Sequence, residues 1–444
     1  MPRYEVYKDF GVEGRDNPTD RWDSKALKYL VDYNIKTLAE DTDPEYELKY
    51  IEIGDVNNIG EILNTTTYSF KNAPSRCRRV LSKDDVFIST VRTYLKAIGY
   101  IKEECEDFVC STGFCVLSPK ESLNPGYLYY SIIDEKFLNE VISKSTGVSY
   151  PAITPTQLVN IKINIPPLTE QTQIVEFLDS KTSLIDKLIS VKQRKIELLK
   201  EKRTALINHV VTKGLNPNVK MKESGVEWIG EIPEHWLFLP IKYLLKKVKN
   251  AIKTGPFGSQ LKSDDIIGSG FKVYNQRTVY DNDYHQGENY ISDAKFELLK
   301  EFKVIEGDIL ITSRGTIGKC SIVPPKIEIG VLHPCLIRIQ IDEGILAKLY
   351  LHRYINQSSL FIDGVKYESN STTIEVIYSD TIKNYRLPLP PFHEQTQIIE
   401  FLDEKTKEID NLLILEQKKI DLLKEYRQSL ISEVVTGKIK VTKD

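Results

Sequence analysis

A stretch of about 47 residues occurs twice in this chain, and that repetition restricts the possible folds more than any other feature. The first copy opens PPLTEQTQIVEFLDSKT at Pro166, and the second opens PPFHEQTQIIEFLDEKT at Pro390. When residues 166–212 are aligned with residues 390–436 without gaps, roughly 29 positions are identical. Internal identity at this level indicates one structural unit that has been duplicated.

A weaker internal match precedes each copy of the repeat. The corresponding stretches are KDFGVE at Lys8 with KESGVE at Lys222, Trp22 with Trp236, and LKY at Leu27 with IKY at Ile241. The sequence therefore predicts a tandem organisation in which a variable region and a conserved region alternate twice.

Each copy of the repeat has the pattern of a long coiled-coil helix. Apolar residues recur at the a and d positions of successive heptads, and neither run contains Pro or Gly. We expect these positions to pack against another helix. They are Val175, Leu178, Ile185, Ile189, Ile196, Leu199, Leu206 and Val210 in the first copy, and Ile399, Leu402, Ile409, Leu413, Ile420, Leu423, Leu430 and Val434 in the second.

The predicted helices have recognisable ends. The proline pairs at 166–167 and 390–391 should stop any earlier helix. Thr169 is a candidate N-cap, and Gly214 and Gly437 are candidate C-terminal stops. A helix of about 42 residues would be roughly 60 Å long.

The two predicted helices are expected to pack on each other, because neither apolar stripe can remain in water. One d position holds Lys192 in the first copy and Glu416 in the second, each near the middle of its helix. Antiparallel packing would bring these opposite charges together, which favours that orientation. Alternatively, both long side chains extend outward to solvent.

The two variable regions have the mixed patterns of α+β globules. Short β-branched runs bounded by turn residues predict strands, and amphipathic stretches predict helices. The strand predictions are DDVFISTVR at Asp84, GFCVLSP at Gly113, KVIEGDILITSRG at Lys303 and CLIRIQI at Cys335, and the helix predictions are PGYLYYSIIDEKFLNEVI at Pro125 and ILAKLYLHRYINQ at Ile345.

These patterns together predict an α+β fold. Two mixed α/β globules are separated by two long antiparallel coiled-coil helices, in a pseudo-twofold tandem repeat. The predicted domains are a first globule at 1–167, a central conserved helix at 168–213, a second globule at 214–391 and a C-terminal conserved helix at 392–444.

A search of the sequence for catalytic motifs favours no enzyme class. SRGTIGKC at Ser313 lacks the GxxxxGK[ST] spacing of a phosphate-binding loop, and a strand–turn–strand explains it better. Glu47 and Lys49 form only half of a nuclease-like pattern. Cys105, Cys110 and Cys115 recur every five residues, which is not the spacing of a zinc site. We therefore predict neither a catalytic residue nor a bound metal.

Two further features favour a cytoplasmic protein. No apolar run approaches the ~18 residues that a membrane span needs. The N-terminal stretch MPRYEVYKDFGVEGRD is too polar for a secretory signal.

Both variable regions carry residue types suited to contact with DNA. Arg can bridge guanine O6 and N7, Gln can bridge adenine N6 and N7, and Lys suits phosphates. The alternative for any one cluster is a solvated charged face, and the net charge of −3 gives no global support for DNA binding. The candidates are Arg76, Arg78, Arg79 and Arg92 in the first globule, and Ser259, Gln260, Lys262, Gln276, Arg277 and Arg314 in the second.

The duplicated stretch, together with the motifs at Gly225, Thr254 and Ser111, gives the chain a clear resemblance to a known family. The chain resembles the specificity subunits of type I restriction-modification systems. The resemblance covers essentially the whole chain, although the first variable region lacks both GPFGS and the Trp-Ile-Gly-Glu-Ile-Pro of the second. It is carried by PPLTEQTQIVEFLDSKTSLIDKLI, PPFHEQTQIIEFLDEKTKEIDNLL, GVEWIGEIPEHW at Gly225, TGPFGSQLK at Thr254 and STGFCVL at Ser111.

The resemblance implies two target-recognition domains, each reading one half of a split, asymmetric sequence of double-stranded DNA. It also implies that the conserved helices space these domains and bind two methyltransferase subunits, which restriction (translocase and nuclease) subunits then join. The subunit itself would catalyse nothing. S-adenosylmethionine, ATP and Mg²⁺ would belong to the partners, so no cofactor is expected on this chain.

Two other classes of function remain open from the sequence alone. The chain could be a DNA methyltransferase or nuclease that acts by itself, which its activity after purification would reveal. It could also be a coiled-coil scaffold that binds no nucleic acid. The sequence does not give the DNA target, its spacer, the division between base and phosphate contacts, or the solubility and oligomeric state of the subunit alone.

Overall fold

Two long helices carry the repeated stretches, as the heptad pattern predicts. The central helix is Leu168–Lys213, and the C-terminal helix is Phe392–Val435. The structure is a computed structural model that describes residues 8–9, 16–17, 22–57, 60–368 and 376–441. Within these ranges no helix combines the length and apolarity of a membrane span. Much of KDFGVE and of GVEGRDNPTDRW lies outside the described residues.

The chain divides into two units, and each long helix contributes to both. Unit 1 comprises Met1–Gln193 and Gln417–Asp444, and unit 2 comprises Arg194–Glu416. Each unit therefore contains one globule, part of the central helix and part of the C-terminal helix.

Unit 1 has a mixed α/β globule built on two four-stranded sheets. Its elements are β1 (Lys8–Asp9), β2 (Asp16–Asn17), β3 (Asp23–Ala26), β4 (Val31–Tyr33), β5 (Glu47–Ile51), β6 (Thr66–Ser69), β7 (Cys77–Val80), β8 (Val86–Ser89), β9 (Ile98–Tyr100), β10 (Phe108–Ser111), β11 (Phe114–Pro119), α1 (Pro125–Ile132), α2 (Glu135–Lys144), α3 (Pro155–Leu158) and β12 (Lys162–Ile165). The sheet orders are β6-β5-β10-β7 and β4-β11-β8-β9. β5 and β10 are parallel, and β12, which leads into the central helix, pairs with β3.

Unit 2 repeats this plan. Its elements are β13 (Met221–Glu223), β14 (Glu231–Pro233), β15 (Leu237–Pro240), β16 (Ile252–Thr254), β17 (Phe271–Tyr274), α4 (Gln276–Asp281), β18 (Tyr290–Ile291), α5 (Asp293–Leu298), β19 (Lys303–Val304), β20 (Ile309–Thr312), β21 (Cys320–Ile322), β22 (Gly330–Leu332), β23 (Leu336–Ile339), α6 (Lys348–Gln357), α7 (Leu360–Glu368), α8 (Ser379–Asn384) and β24 (Arg386–Leu389). The sheet orders are β16-β23-β20-β21 and β18-β17-β22-β19, and β15 pairs with β24 before the C-terminal helix. β17 and β22 form the parallel pair.

The predicted strands are confirmed as β8, β11, β19, β20 and β23, and SRGTIGKC joins the antiparallel strands β20 and β21. One helix prediction needs correction. The stretch that begins at Pro125 forms two helices, α1 and α2, because Asp134 between them has an extended backbone.

The ends of the long helices follow the prediction except for one N-cap, and both helices begin directly after the proline pairs, at Leu168 and Phe392. Gly214 and Gly437 adopt positive φ values of 74° and 72°, which suit a glycine stop. The prediction of Thr169 as N-cap is wrong. The central helix begins one residue earlier, and the N–H groups of Glu170 and Gln171 already bond to the carbonyl of Pro167.

The predicted heptad positions face the interiors of the two units. The positions beside each globule join its core, so the ends of the helices are part of that core. Positions nearer the middle of the helices, such as Ile196 and Ile420, lie outside these two cores. Leu178, Ile185, Ile196, Leu402, Ile409, Ile420 and Leu430 are buried, and Ile189, Leu199, Leu206, Leu413 and Leu423 are half-buried.

The two long helices are antiparallel, which confirms the predicted orientation. In unit 2 the Nζ of Lys195 lies 2.9 Å from Oε1 of Glu416, and the Nε of Arg203 lies 2.9 Å from Oδ1 of Asp410. As residue numbers rise along the central helix, the numbers of their partners on the C-terminal helix fall, which is the mark of antiparallel packing. The pairing of Lys192 with Glu416 stays a prediction, since these residues belong to different units.

A buried glutamine attaches the globule of unit 1 to the start of the central helix. Gln171 is completely buried. Its Nε2 donates to the carbonyls of Ser122 (3.2 Å) and Pro166 (2.9 Å), and its Oε1 accepts from the N–H of Asn124 (2.7 Å). One side chain thus pairs three main-chain groups that would otherwise be buried without partners.

Gln395 makes the same contacts in unit 2. Its Nε2 donates to the carbonyls of Ile345 (2.9 Å) and Pro390 (3.0 Å), and its Oε1 accepts from the N–H of Ala347 (2.8 Å). The glutamine of the repeated Glu-Gln dipeptide therefore connects globule and helix in both units.

The preceding glutamate binds a buried tryptophan in each unit. Trp22 donates its indole N–H to Glu170 over 3.2 Å, and Trp236 donates to Glu394 over 2.9 Å. Both indoles are buried, so an acceptor is needed for each N–H. This explains why the two tryptophans correspond although the globules around them have diverged.

A tyrosine attaches each globule to its second long helix. The hydroxyl of Tyr127 lies 3.4 Å from the carbonyl oxygen of Val435 in unit 1. The hydroxyl of Tyr350 donates to the carbonyl of Val211 over 3.1 Å in unit 2. Each globule is consequently fixed to both long helices.

Candidate nucleic-acid and partner interfaces

In unit 2, four connecting segments meet at one end of the two main sheets. β16 and β20 flank β23, with Thr254 opposite Ile337 and Thr312 opposite Leu336. β17 runs parallel to β22, and the N–H of His333 after β22 bonds to the carbonyl of Tyr274 at the end of β17 (2.9 Å). The segments that follow β16, β17, β20 and β22 therefore emerge together. We call residues 255–262, 275–277, 313–319 and 333–335 the loop end of unit 2.

Hydrogen bonds and glycines fix the shape of this loop end. Gln276 donates its Nε2 to the carbonyl of Arg314, and Tyr280 donates its hydroxyl to the carbonyl of Thr316 over 2.7 Å. Gly315 has a φ of 68°, which favours glycine. At Gly255 a Cβ would collide with the carbonyl of His333, so only glycine fits there. The loop end is therefore preorganised.

The six candidates predicted in the second globule all lie at or beside this loop end. Ser259, Gln260, Lys262, Arg277 and Arg314 are exposed, and Gln276 is half-exposed. Some are already engaged: Gln260 accepts from the N–H of Phe257 (2.9 Å), and Arg277 lies 3.1 Å from Asp281. The role of each in binding stays a prediction.

The charge of the loop end suits a polyanion. Its segments contain Lys262, Arg277, Arg314 and Lys319, and they contain no Asp or Glu. His333 adds no charge, because burial lowers its pKa and its Nδ1 accepts from the N–H of Cys335 (3.2 Å). An acid-free group of Lys and Arg on ordered loops is the arrangement that phosphate contacts require.

Unit 1 has an equivalent loop end. β7 begins and β8 ends at the same end of the two sheets, because Cys77 lies opposite Ser111 and Ser89 lies opposite Phe114. The carbonyl of Arg76 accepts from the N–H of Thr112 over 2.8 Å. We call residues 52–57, 90–96 and 111–113, together with Arg76, the loop end of unit 1. Its 52–57 segment carries Glu52 and Asp55, so it is less basic than that of unit 2.

Arg92, like Lys96 in the same loop end, has an unusual backbone conformation. It is exposed and has a φ of 52°, in the left-handed region that non-glycine residues seldom occupy. Its N–H donates to the carbonyl of Pro151 (2.8 Å), and its guanidinium lies over the ring of Tyr150 at 4.7 Å. Backbone strain of this kind is concentrated at binding sites, which supports a binding role for this loop.

The structure separates the predicted arginine cluster. Arg76 is exposed at the loop end, whereas Arg78 and Arg79 lie along β7 and are half-buried. Arg78 stacks on Phe70 at 4.9 Å, and the Nη1 of Arg79 donates to the hydroxyl of Thr37 over 3.2 Å. Arg76 and Arg92 are therefore the better placed of the four candidates.

Three exposed aromatic residues in or beside these loops are not predicted from the sequence. Tyr94 and Tyr150 in unit 1 and Phe257 in unit 2 are 52%, 60% and 78% exposed. Aromatic rings stack on bases or insert between them. No sequence signal distinguishes such a residue from a core aromatic; only the glycines on both sides of the Pro-Phe pair indicate a loop.

The buried thiols have no nucleophilic character. Burial raises the pKa of Cys115 to about 12, and it raises the pKa values of Cys110 and Cys320 further. Only thiolates are effective nucleophiles and metal ligands. In the part of the chain that the structure describes, no three His, Cys, Asp or Glu side chains are grouped as a metal site would require.

Each unit also presents exposed apolar residues on one long helix. In unit 1, Leu188 and Val191 of the central helix are 50% and 66% exposed. The residues at the corresponding positions of the repeat are Leu412 and Leu415 in unit 2, which are 41% and 45% exposed. We call each of these pairs an apolar docking face. Exposed apolar groups that recur at matched positions indicate a binding surface used twice.

A polar cleft adjoins the apolar docking face in each unit. The cleft in unit 1 has a volume of about 720 Å³, and that in unit 2 has about 380 Å³. Four lining positions are occupied by identical residues in the two copies, and they include the ion pairs between the long helices. The matched residues are Asp179 with Asp403, Thr182 with Thr406, Asp186 with Asp410, and Arg427 with Arg203.

Comparison with known proteins identifies the family. The family model described as the type I restriction modification DNA specificity domain matches residues 20–200 and again residues 249–425. These two matches cover most of the chain. The chain therefore belongs to the family of type I restriction-modification DNA specificity proteins, and the resemblance seen in the sequence is confirmed.

Curated relatives carry the same designation. The chain is 27% identical over 328 residues to a putative type I restriction enzyme MjaX specificity subunit of Methanocaldococcus jannaschii, with 72% of this chain and 70% of the relative covered. It is 23% identical over 427 residues to the EcoKI specificity subunit of Escherichia coli, with 94% and 86% covered.

Solved structures share the fold. A chain from a structure of a type I restriction-modification system, described in terms of complex assembly and conformational transition, matches with a TM-score of 0.74 and 20% identity, over 95% of this chain and 99% of that one. The HsdS subunit of Thermoanaerobacter tengcongensis matches with a TM-score of 0.54 and 20% identity, over 95% and 98%. The predicted α+β tandem architecture is thereby confirmed.

Proposed function

We propose that this chain is the DNA sequence-specificity subunit of a type I restriction-modification complex, and that its two globules read the two halves of a bipartite target. The observation that carries this proposal is a contrast between the two loop ends and the two buried glutamines that attach the globules to the long helices. The contacts of Gln171 and Gln395 are the same in both units, whereas the loop ends above them differ in sequence. The attachment is thus shared by the two units, and the surface that would read DNA differs between them.

The difference between the loop ends accounts for an asymmetric target. GPFGSQLK contributes to the loop end of unit 2, and unit 1 has no counterpart of it. Unit 1 instead offers Arg92 on a left-handed turn beside Tyr150. Two surfaces with different donors and different shapes select different half-sites.

The repeated docking faces account for two copies of one partner. Methyltransferases flip their target base out of the duplex, so one enzyme is needed near each half-site. The apolar docking faces, with the polar clefts beside them, would each receive one methyltransferase subunit. Restriction subunits would then join this assembly. S-adenosylmethionine, ATP and Mg²⁺ would be bound by these partners.

A specificity subunit is the non-catalytic DNA-recognition component of such a complex. The chemistry of the chain agrees with this role, because its buried thiols are held protonated and its candidate DNA residues are donors of hydrogen bonds. Nothing in the geometry favours the catalytic or scaffold alternatives.

The function is tested by expressing the chain with its methyltransferase subunit in a host that lacks other adenine methylation, and by mapping methylated adenines across the genome. We expect a split motif with two different halves and one modified adenine in each half. A contiguous motif would contradict the bipartite reading. Methylation without sequence preference, or methylation by the chain alone, would contradict the function.

The docking of two partners is tested by placing a charge on each apolar docking face. Leu188→Glu and Leu412→Glu should each reduce the number of bound methyltransferase subunits from two to one, because a buried carboxylate without a partner is costly. The double variant should bind none. Native mass spectrometry counts the subunits directly, and a single variant that lost both partners would contradict independent docking.

A further inference from the structure

A lysine-rich segment of unit 2 is explained neither by the loop end nor by the docking faces. Residues 236–254, which precede the loop end, contain five lysines and no Asp or Glu, although the whole chain has a net charge of −3. The stretch of unit 1 that matches IKYLLKK at Ile241 is LKYLVDY at Leu27, which has one lysine where IKYLLKK has three and which includes Asp32. The fold of the globule therefore does not require these lysines, since the corresponding globule forms without them.

Three of the lysines occupy the tip of a short loop before β16. Lys246, Lys247 and Lys249 are all exposed, and Val248 between them is 47% exposed. Within the residues that the structure describes, none of these three side chains has a hydrogen-bond or ion-pair partner. Many other lysines of the chain are paired with a carboxylate, such as Lys253 with Glu301 at 2.9 Å.

The loop is held rigidly at both ends, so the three ammonium groups are presented by a fixed backbone. The N–H of Lys246 donates to the carbonyl of Gln340 (2.9 Å), and the N–H of Gln340 donates to the carbonyl of Ala251 (2.7 Å). The buried guanidinium of Arg338 donates to the carbonyl of Asn250 over 3.1 Å. Asn250 itself has a φ of 60°, which reverses the chain at the tip.

The surroundings leave the positive charge largely uncompensated. Asp342 lies on the segment paired with this loop, where its N–H donates to the carbonyl of Leu244 (2.9 Å). Its Oδ1 accepts from the N–H of Gly344 (3.1 Å) and not from a lysine. Lys242, in the preceding turn, stands over the exposed ring of Tyr243 at 5.4 Å, and its Nζ donates to Oδ1 of Asn384 rather than to a carboxylate (3.3 Å).

We call Lys246, Lys247 and Lys249 the lysine tip. The lysine tip lies close to the loop end of unit 2 but at the other end of β16. Six residues separate Lys249 from Gly255, a span of at most about 22 Å for an extended chain. Along a DNA duplex that distance corresponds to roughly six base pairs. A duplex that contacts the loop end and follows the direction of β16 would therefore reach the lysine tip.

We propose that Lys246, Lys247 and Lys249 form a sequence-independent clamp for the phosphate backbone of duplex DNA that flanks the half-site read by unit 2. The proposal rests on the proposed function and adds a second DNA contact to it. Ammonium groups on a flexible stem act as point charges that accept any sequence, in contrast to the Arg and Gln residues of the loop end. Because unit 1 lacks the equivalent lysines, the clamp acts on one flank of the target only.

The test is the salt dependence of binding by the complex with the methyltransferase subunit. Each phosphate contact contributes about 0.9 to the slope of log K against log salt concentration. The variant Lys246→Gln, Lys247→Gln, Lys249→Gln should lower that slope by up to about 2.7. Between 50 and 200 mM salt, wild type should then lose roughly 40-fold more affinity than the variant. The ratio of affinities for target and scrambled DNA should stay unchanged.

Two controls make the result specific. Lys220→Gln, Lys300→Gln, Lys383→Gln changes the net charge of unit 2 equally, but these lysines are paired with Glu234, Glu297 and Asp380. This control should leave the slope within experimental error of wild type. A duplex shortened to end at the half-site of unit 2 should abolish the difference between wild type and the tip variant.

Three outcomes overturn the clamp. One is an unchanged slope, and another is a changed target preference, which would assign base reading to the tip. The third is loss of the methyltransferase subunit from the complex with an unchanged slope, which would assign the tip to a protein partner. If wild type itself showed no target preference, the proposed function would fail, and that result is distinct from all three.

Discussion

At the scale of single residues, the most informative side chains are the two buried glutamines. A fully buried amide is unusual unless all its hydrogen-bonding groups are paired. Gln171 and Gln395 each pair three main-chain groups, and these groups come from both the globule and the start of a long helix. They are positioning residues, because they determine where the loop ends are held.

Replacement of one glutamine should loosen its own unit only. Gln171→Leu leaves the N–H of Asn124 and the carbonyls of Ser122 and Pro166 without partners, which should cost about 3 kcal/mol or more. Hydrogen exchange should accelerate in α1 and β12 and stay unchanged in unit 2. Gln173→Leu, on the exposed side of the same helix, is the matched control. Equal effects of the two changes would contradict the anchoring role.

Arg314 is an exposed candidate base-reading residue on a turn that Gln276 fixes. Arg314→Ala should weaken target binding by about 1–3 kcal/mol and relax the preference at one base pair. Competition with singly substituted targets measures both effects. Arg386→Ala removes an exposed arginine that stacks on Phe238 and should change neither. A uniform loss across all sequences would identify Arg314 as a phosphate contact.

At the scale of elements, ion pairs set the alignment of the two long helices within each unit. The pair of Arg203 with Asp410 in unit 2 corresponds by the repeat to the pair of Arg427 with Asp186 in unit 1. Apolar heptad positions alone tolerate a shift of one heptad, because the pattern repeats. A charge pair at a unique position removes that freedom.

Reversal of one charge should therefore lower the stability of unit 2, and reversal of both charges should restore it. Asp410→Arg places two guanidinium groups together and should destabilise unit 2 by about 1–2 kcal/mol, since the pair is partly exposed. Adding Arg203→Asp should recover most of the loss. The thermal unfolding of unit 2 is the measurement, and the untouched pair in unit 1 is the internal control. Failure of the double variant to recover would mean that packing, not charge, sets the alignment.

The long helices could be predicted from the sequence because heptad spacing and flanking Pro and Gly are local signals. The strands were predictable for the same reason, since β8 and β20 are short β-branched runs between turn residues. The roles of Gln171 and Trp22 were not predictable. Their partners are distant in sequence, and a polar residue among apolar heptad positions gives no sign of being buried.

The candidate DNA residues were predicted by type, but their arrangement was not. The sequence presents Arg76, Arg78 and Arg79 as one cluster, and only the pairing of β7 shows that two of them turn toward Phe70 and Thr37. The meeting of four segments at the loop end of unit 2 depends on sheet order, which short-range patterns do not contain. Exposed aromatics such as Phe257 were missed for the same reason.

At the scale of the whole molecule, we expect the two units to differ in their response to acid because of where the histidines lie. All six histidines lie between His209 and His393, within unit 2. Burial lowers the pKa values of His333 and His352, and Arg353 lowers that of His352 further. In the unfolded chain both imidazoles take up protons as the pH falls through about 6.5. The folded unit binds fewer protons there, so its stability falls as the pH is lowered.

As the pH is lowered, unit 2 should consequently lose stability at a higher pH than unit 1. Between pH 7.5 and 5.5, hydrogen exchange in the core strands of unit 2 should accelerate beyond its intrinsic change, and exchange in unit 1 should not. His352→Gln should reduce this pH dependence, even if it lowers stability at pH 7.5. Parallel behaviour of the two units would contradict the assignment to buried histidines.

The attachment of the globules has a consequence for how new specificities arise. The glutamine amides bond to backbone atoms of the globule, which every amino-acid sequence supplies. A globule can therefore change most of its side chains and stay attached, provided that its chain path past the helix, its buried tryptophan and its attaching tyrosine are kept. Recognition modules that keep these few features can be exchanged as whole pieces without redesign of the long helices.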